Sequence, residues 1–334
     1  MRALQCEAWG TPDSVVLRDD LAPRAPGAEE VVIRVAYASV SHATGLMVAG
    51  RYQTRPPLPF TPGTESVGTV LAVGANVTRL SVGQRVVAIA DWGCFAEQLV
   101  VRQHTVYAIP DAVSFLQALP VPISYGTAFT GMLWRSGLAA GETVLVLGAG
   151  AGVGLAAVEI AAAMGARVIA CASTQPKRDQ ALARGASHAV APDEHLAAQV
   201  KQATAGRGVD LVVDPVGGEL FERAVRACAA NARLLSIGFA SGRPPEVAAN
   251  IFLVKNLTLH GFFFGRYIGW TPADERAIHA PALQHAIETL LGWVADGRLQ
   301  PVVSQVFPIS GLADAIHVLE SRQVIGKVAL KISD

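Results

Sequence analysis

The sequence predicts an α/β protein in which a β-rich part is interrupted by a parallel, doubly wound sheet. Three observations predict it. Residues before about 112 carry β-branched runs and no long helical period. From residue 143 onward, short apolar runs alternate with helical stretches, the pattern of βαβ units. After residue 262 that rhythm stops, and the chain ends on one more short apolar run. A length of 334 residues suits two domains at about 150 residues each. The expected divisions are 1–120, 121–262 and 263–334, with the last part returning to the first.

Each element has its own signal. Residues 31–38, 66–74 and 84–90 alternate β-branched residues with others, as half-buried strands do. Residues 55–62 hold four prolines and read as an extended loop. Residues 143–147 form an apolar strand, followed by a glycine loop and a helix over 155–164 that stops at Gly165. A second buried strand spans 167–171, and a polar helix begins at Pro176. Strands are expected at 209–213, 233–237 and 256–264, with a helix near 220–229. The tail carries helices at 285–295 and 312–321, the second capped by Ser310, and a strand at 327–332.

Composition narrows the function classes. Hydrophobic residues make up 51% and charged ones 16%, enough for a large core and too few charges for a disordered chain. Twenty-seven basic residues balance twenty-seven acidic ones. No charge excess points to nucleic acid or to an anionic membrane surface, so the expected partner is a small molecule. The four cysteines form no CxxC pair, and a reducing cytoplasm fits them best. The first ten residues hold no signal-peptide apolar run, which fits the same location. Residues 143–164 carry a single charge, Glu159, but four glycines in their middle argue against a membrane helix.

Those glycines are Gly148, Gly150, Gly152 and Gly154 in the run Gly-Ala-Gly-Ala-Gly-Val-Gly. The run does not satisfy GxGxxG in any register. Its context, strand then loop then helix, is what gives such a run meaning. Unpaired N–H groups at a helix start attract phosphate, and glycines let the backbone approach it. Gly150, Gly152, Val153 and Gly154 are therefore candidate pyrophosphate contacts; an ordinary tight turn is the competing reading. The next strand ends in Cys-Ala-Ser-Thr-Gln-Pro-Lys-Arg, which holds no acid for a ribose hydroxyl. Ser173, Lys177 and Arg178 suit a 2′-phosphate, which favours NADPH over NADH. The two cations equally suit a solvated helix start.

At this point the chain resembles a known family. Its markers are GRYQTRPPLPFTPGTESVGTV (50–70), GCFAEQLVV (93–101), SYGTAFTGM (124–132), the glycine segment 144–170, DPVGG (214–218) and GKVAL (326–330). Together they resemble the zinc-independent quinone oxidoreductases of the medium-chain dehydrogenase/reductase superfamily, the zeta-crystallin-like group, over essentially the whole chain. The resemblance implies a GroES-like β-barrel catalytic domain built from 1–120 and 263–334. It implies a Rossmann domain over 121–262 and a homodimer formed through its sheet. It also implies NADPH-dependent hydride transfer to a quinone or an α,β-unsaturated carbonyl. By the same resemblance Tyr52 lines the active site, with Ser41, His42 and Thr44 as further candidate donors. Thr127, Gly238, Phe239, Phe263, Phe264 and Lys327 are candidate cofactor contacts.

Several positions depart from the family pattern. Ala151 stands where the glycine pair begins, Ala191 where a tyrosine is usual, and Ser41-His42-Ala43-Thr44 where Asn-x-x-Asp is usual. Zinc-binding relatives place Cys and His where this chain has Ser41 and Thr64, so no metal is expected. An enoyl-thioester reductase and a non-catalytic NADPH-binding protein remain as alternative readings.

Overall fold

The computed structural model describes residues 1–53, 55–321 and 323–333. The chain divides into two compact units. One comprises Ser124–Phe264 with Arg298–Gln300; the other comprises Met1–Ile123, Gly265–Gly297 and Pro301–Asp334.

The first of these is built on six parallel strands: β1 (Thr143–Leu147), β2 (Arg167–Cys171), β3 (His188–Val190), β4 (Val209–Asp214), β5 (Cys228–Ser236) and β6 (Thr258–Gly261). Their spatial order is 3-2-1-4-5-6, the doubly wound arrangement of a Rossmann fold. Every residue of β1 is buried, as a strand covered on both faces requires. Helix α1 (Gly152–Ala163) follows β1, and α2 (Gln175–Ala183) follows β2 with proline in its first turn. The stretch that resembled a membrane helix is therefore a strand, a turn and a twelve-residue helix. Among the described residues no helix is long and apolar enough to cross a membrane.

Three expectations here need correction. Strand β5 begins at Cys228 rather than 233, so the helix expected near 220–229 ends at Ala227. Helix α1 starts at Gly152, not 155, because the glycines themselves form its first turn. The strand expected over 256–264 is only Thr258–Gly261. Asn256 adopts φ 52° and ends a short helix, Ala249–Lys255, so the strand starts two residues later. Phe262 and Phe263 lie beyond its end, and Phe264 opens a 3-10 turn.

The other unit carries a seven-stranded sheet among the described residues. Its order is Val303–Pro308, Lys327–Lys331, Glu30–Val40, Glu65–Val73, Arg85–Ile89 and Val106–Ala108, with Gln98–Arg102 pairing Glu30–Val40. The C-terminal strand thus pairs antiparallel with a strand from the first forty residues. Inward residues such as Val31, Ile33, Val35, Phe95, Leu99, Val328 and Leu330 form one core. Arg276, only 5% exposed, ties the returning part to the first. Its guanidinium donates to Asp91 at 2.8 and 3.0 Å and to Asp274 at 2.7 Å.

Helices in this unit differ from the sequence reading in three places. Residues 41–44 open a seven-residue helix, His42–Val48, too short to show a period. The helix expected at 285–295 spans Arg276–Ala295, with Pro281 in its interior interrupting the pattern. Gly311, not Ser310, is the N-cap of helix Leu312–Glu320, and it closes the 3-10 turn Ile309–Gly311 that leads straight into the helix, with no side-chain cap.

A buried ion pair joins three parts of this unit. Lys327 Nζ donates to Glu65 Oε2 at 2.5 Å and to Ser39 Oγ at 3.0 Å. Glu65 Oε1 accepts the N–H of Ile123 at 2.9 Å. Breaking a buried pair by removing one partner leaves a stranded charge and costs about 3–5 kcal/mol, whereas an apolar replacement of both is often neutral. Lys327→Met should therefore lower the urea-unfolding free energy by about 3–5 kcal/mol, and the double variant Glu65→Leu/Lys327→Met by much less.

Candidate functional site

In the nucleotide-type unit the strand order reverses between β1 and β4, and ligands of such sheets bind beyond the strand ends at that point. The glycine loop sits there. Gly148 has φ 62°, and a Cβ added to it would lie 2.9 Å from Val216 Cγ2. A Cβ on Gly154 would lie 2.1 Å from the Gly148 carbonyl oxygen, and one on Gly150 2.6 Å from the Lys177 side chain. Ala151, the N-cap of α1, has φ −156° and ψ 162°, extended backbone that accepts a Cβ without strain. It caps α1 with no side-chain bond, so the first-turn N–H groups of Gly152 and Val153 point toward any anion placed at the helix start.

The end of β2 brings Ser173, Lys177 and Arg178 to the same side of the loop. Ser173 is exposed. The Lys177 stem lies against Gly150, and burial holds its ammonium below the usual lysine range. Arg178 is fixed by its neighbours: Nη1 donates to the carbonyls of Ala172 (2.9 Å) and Ser173 (3.2 Å), and Nη2 to Gln175 Oε1 at 3.0 Å. Its guanidinium is thereby held at the strand end beside Ser173.

The loop after β4 forms the facing wall. Asp214 is fully buried, and its carboxylate accepts the N–H groups of Val216 at 2.8 Å and Gly217 at 2.9 Å. Gly217 (φ 70°) packs against Phe239, and the Ala240 N–H donates to the Pro215 carbonyl. Gly238 is half-buried and Phe239 49% exposed at the end of β5; Phe263 is 40% exposed beyond β6, and Phe264 is buried. Thr127 lies buried in the short helix Gly126–Thr130. Asp214 escaped the sequence reading, although DPVGG contains it; an acid ending an apolar strand before a Gly-Gly pair was the available signal.

The four other candidates lie in the second unit. Ser41 and Thr44 meet: the Ser41 N–H donates to Thr44 Oγ1 at 3.2 Å, and the two hydroxyls are 3.4 Å apart. They form the capping pair of helix His42–Val48. His42 is exposed on its first turn. Gly50 (φ 65°) turns the chain beneath Trp9 and sets Tyr52 against Cys6, Met47, Val48 and Phe60, with Trp92 on the same cluster. Burial pushes the Tyr52 phenol above its ordinary pKa, so it is a neutral donor at pH 7. Lys327 belongs to this unit as well, its ammonium engaged by Glu65 and Ser39.

A doubly wound sheet with a glycine loop at its switch point, carried in one chain with a β-rich unit, is the architecture of a two-domain nucleotide-binding protein. Comparison with known proteins gives the narrower class. Residues 27–111 match the alcohol dehydrogenase GroES-like domain, and residues 152–279 match the zinc-binding dehydrogenase domain. The chain is 34% identical to quinone oxidoreductase-like protein 2 of Rattus norvegicus over 99% of its own length and 92% of the relative's. A probable oxidoreductase from Mycobacterium abscessus is 33% identical with a TM-score of 0.87, covering 99% of this chain and 98% of that one. The Escherichia coli quinone oxidoreductase complexed with NADPH is 25% identical with a TM-score of 0.87, covering 99% and 100%. The chain belongs to the quinone oxidoreductase-like family of medium-chain dehydrogenases/reductases.

One matched domain is described as zinc-binding, but the donors here do not suit zinc. Ser41 and Thr64 supply hydroxyls rather than thiolate or imidazole, and both Glu65 oxygens are engaged by Lys327 and the Ile123 N–H. Among the described residues no three His, Cys, Asp or Glu side chains converge.

Asp214 yields a pH test. Burial lifts its pKa to about 6, outweighing the N–H groups of Gly217 and Val216 that pull it down. Unfolded, the group titrates near 3.9, so the folded state holds the proton more tightly and this group's contribution falls as pH rises from about 4 to 6. Relative to Asp214→Asn, the wild type should lose about 3 kcal/mol between pH 3.5 and pH 7.5, read as the difference between their urea-unfolding curves.

Proposed function

We propose that this protein is an NADPH-dependent reductase that delivers hydride to a quinone or an α,β-unsaturated carbonyl without zinc. The observation that carries the reading is the phosphate-binding ground around the glycine loop: unused N–H groups at α1, and Ser173, Lys177 and Arg178 with no acid among residues 171–178. The names of its relatives, and the NADPH complex of the Escherichia coli protein, support the same direction.

NADPH, when bound, supplies the hydride. The chain's own residues do the rest. Gly150, Gly152, Val153 and Gly154 would hold the pyrophosphate, and Ser173, Lys177 and Arg178 the 2′-phosphate. Thr127, Gly238, Phe239, Phe263 and Phe264 are the residues of this unit that would hold the nicotinamide. Tyr52, kept neutral by burial, is a hydrogen-bond donor suited to a substrate oxygen on which negative charge develops. The Ser41–Thr44 pair fixes the helix that leads to Tyr52, and His42 lines its exposed face. A hydride reaching a quinone needs no strong acid, and water completes the protonation.

Purified protein should oxidise NADPH faster than NADH with 1,4-benzoquinone, 9,10-phenanthrenequinone or an alkyl vinyl ketone, followed at 340 nm and unaffected by EDTA. Oxidation of neither cofactor, with NADPH nonetheless bound, would favour a binding role. Preferential reduction of crotonyl-CoA would favour the enoyl-thioester alternative. Lys177→Ala and Arg178→Ala should each weaken NADPH by about tenfold, about 1.4 kcal/mol, and leave NADH unchanged. Tyr52→Phe should lower kcat by about tenfold or more with NADPH affinity intact, as loss of a transition-state donor does.

The same sheet supports a homodimer. Strand β6 is an edge, with Leu259 47% exposed, and Leu253 and Val254 of the preceding helix are 78% and 80% exposed. An apolar open edge of this kind invites pairing with a second copy. Leu253→Glu/Val254→Glu should shift the protein from dimer to monomer in light scattering; an unchanged mass would place the interface elsewhere.

A further inference from the structure

Helix α1 carries a buried carboxylate that neither phosphate binding nor the sheet requires. Glu159 is 3% exposed in the middle of an otherwise apolar helix. Its Oε2 accepts the backbone N–H of Gln300 at 2.8 Å. Its Oε1 has no hydrogen-bond partner and faces Arg184 Nη1 at 3.6 Å. Arg184, at the C-terminal end of α2, donates in turn to the Gln300 carbonyl at 2.7 Å and to its side-chain oxygen at 2.9 Å. Arg298 donates to the Ala163 carbonyl, the last residue of α1, at 3.1 Å. Tyr125 completes the group. Burial first and the Glu159 charge second hold its phenol well above the ordinary range, so it stands protonated beside the carboxylate.

The cluster has a definite topology. Arg298–Gln300 are three residues of the late chain that belong to the nucleotide-type unit, while their neighbours on both sides belong to the other. Ser124 and Tyr125 are the first residues of that unit, and Thr127 follows two positions later. One carboxylate therefore faces both points where the chain joins this sheet. The helices it braces are the two whose opposite ends form the phosphate ground. An apolar residue would fill the same space at lower desolvation cost. What the retained charge adds is an acceptor for the Gln300 N–H and a counter-charge for Arg184.

We propose that Glu159 is a positioning residue of the reduction: it fixes the Arg298–Gln300 segment and the Tyr125 turn onto the shafts of α1 and α2, and so sets the place of Thr127. This rests on the reductase reading above. It separates binding from turnover, because the glycine loop and Arg178 stand at the far ends of α1 and α2 with contacts of their own, whereas Thr127 follows Tyr125 by two residues. A displacement of about 1 Å near reacting atoms can cost about 100-fold in rate.

Glu159→Leu should leave the NADPH dissociation constant, measured by fluorescence, within about threefold, and lower kcat by about tenfold or more. Amide exchange of the peptide 298–302 should quicken by at least about tenfold, as a backbone N–H that loses its acceptor does. Glu159→Gln keeps an acceptor oxygen for Gln300 and should recover kcat to within about threefold of wild type. Where Glu159→Leu does not fold, Arg184→Met removes the bonds to the Gln300 carbonyl and should move exchange and kcat in the same directions. Wild-type exchange and kcat in a folded variant would overturn the proposal. So would a loss of NADPH affinity in step with kcat, the signature of general destabilisation. If the wild type itself reduces no acceptor, the reductase reading fails; the exchange measurement still decides whether Glu159 holds the segment.

Discussion

Helix α1 approaches the end of β1 so closely that a methyl group at Gly154 would stand 2.1 Å from the Gly148 carbonyl oxygen. Much of the nucleotide-type unit depends on this contact. It sets the helix start directly over the strand end, so the free N–H groups face the switch point rather than bulk solvent. It brings Val216 onto Gly148 and the Lys177 stem onto Gly150, which places the loops after β4 and β2 around the same space. Any side chain at Gly154 would push the helix outward and separate all three walls together. The run fails the strict GxGxxG spacing and still meets the physical demand. What matters is which glycines make close approaches, and Ala151, in extended backbone, is not one of them.

Buried charge is used in both units to hold together segments distant in sequence. Lys327, Glu65, Ser39 and the Ile123 N–H join the last strand, the first long strand and the end of the first segment. Arg276 joins Asp91 to Asp274. Glu159 and Arg184 hold Gln300. Such groups add little net stability compared with an apolar filling, but they tolerate only one register of their partners. A unit assembled from three separate stretches of chain has a particular need for that. Hydrophobic strands can slide by two residues and still bury the same face; an ammonium between a carboxylate and a hydroxyl cannot.

Most of the sheet was legible in the sequence because its strands are short apolar runs between turn signals. The runs 143–147 and 167–171 coincide with β1 and β2. What stayed hidden was decided by single residues against their local pattern. Asn256 in a left-handed turn shortened the strand before Phe262, and Pro281 sits inside a helix it would normally interrupt. Helix His42–Val48 is two turns long and held by a Ser–Thr pair, below the length at which periodicity speaks. Within the candidate site, the glycine loop and the 173–178 cluster could be read locally, since neighbours in sequence are neighbours in space. Asp214 and Glu159 could not. Each is defined by what surrounds it, and a lone acid in an apolar run shows only that something unstated must satisfy it.

The Ser41–Thr44 segment shows how a departure from a family pattern can be conservative in structure and open in chemistry. A serine and a threonine three residues apart supply what a helix start requires, an acceptor for one N–H and a partner for another. Asparagine and aspartate at the same spacing would do so too, but with an amide and a charge. The hydroxyl pair removes that charge while leaving the helix, the Gly50 turn and the burial of Tyr52 in place. The Tyr52 phenol stays neutral through burial alone, independent of any charge at that helix start. An anionic group at a helix start is favourable to the helix dipole, so the hydroxyl pair gives up that contribution while keeping the hydrogen bonds.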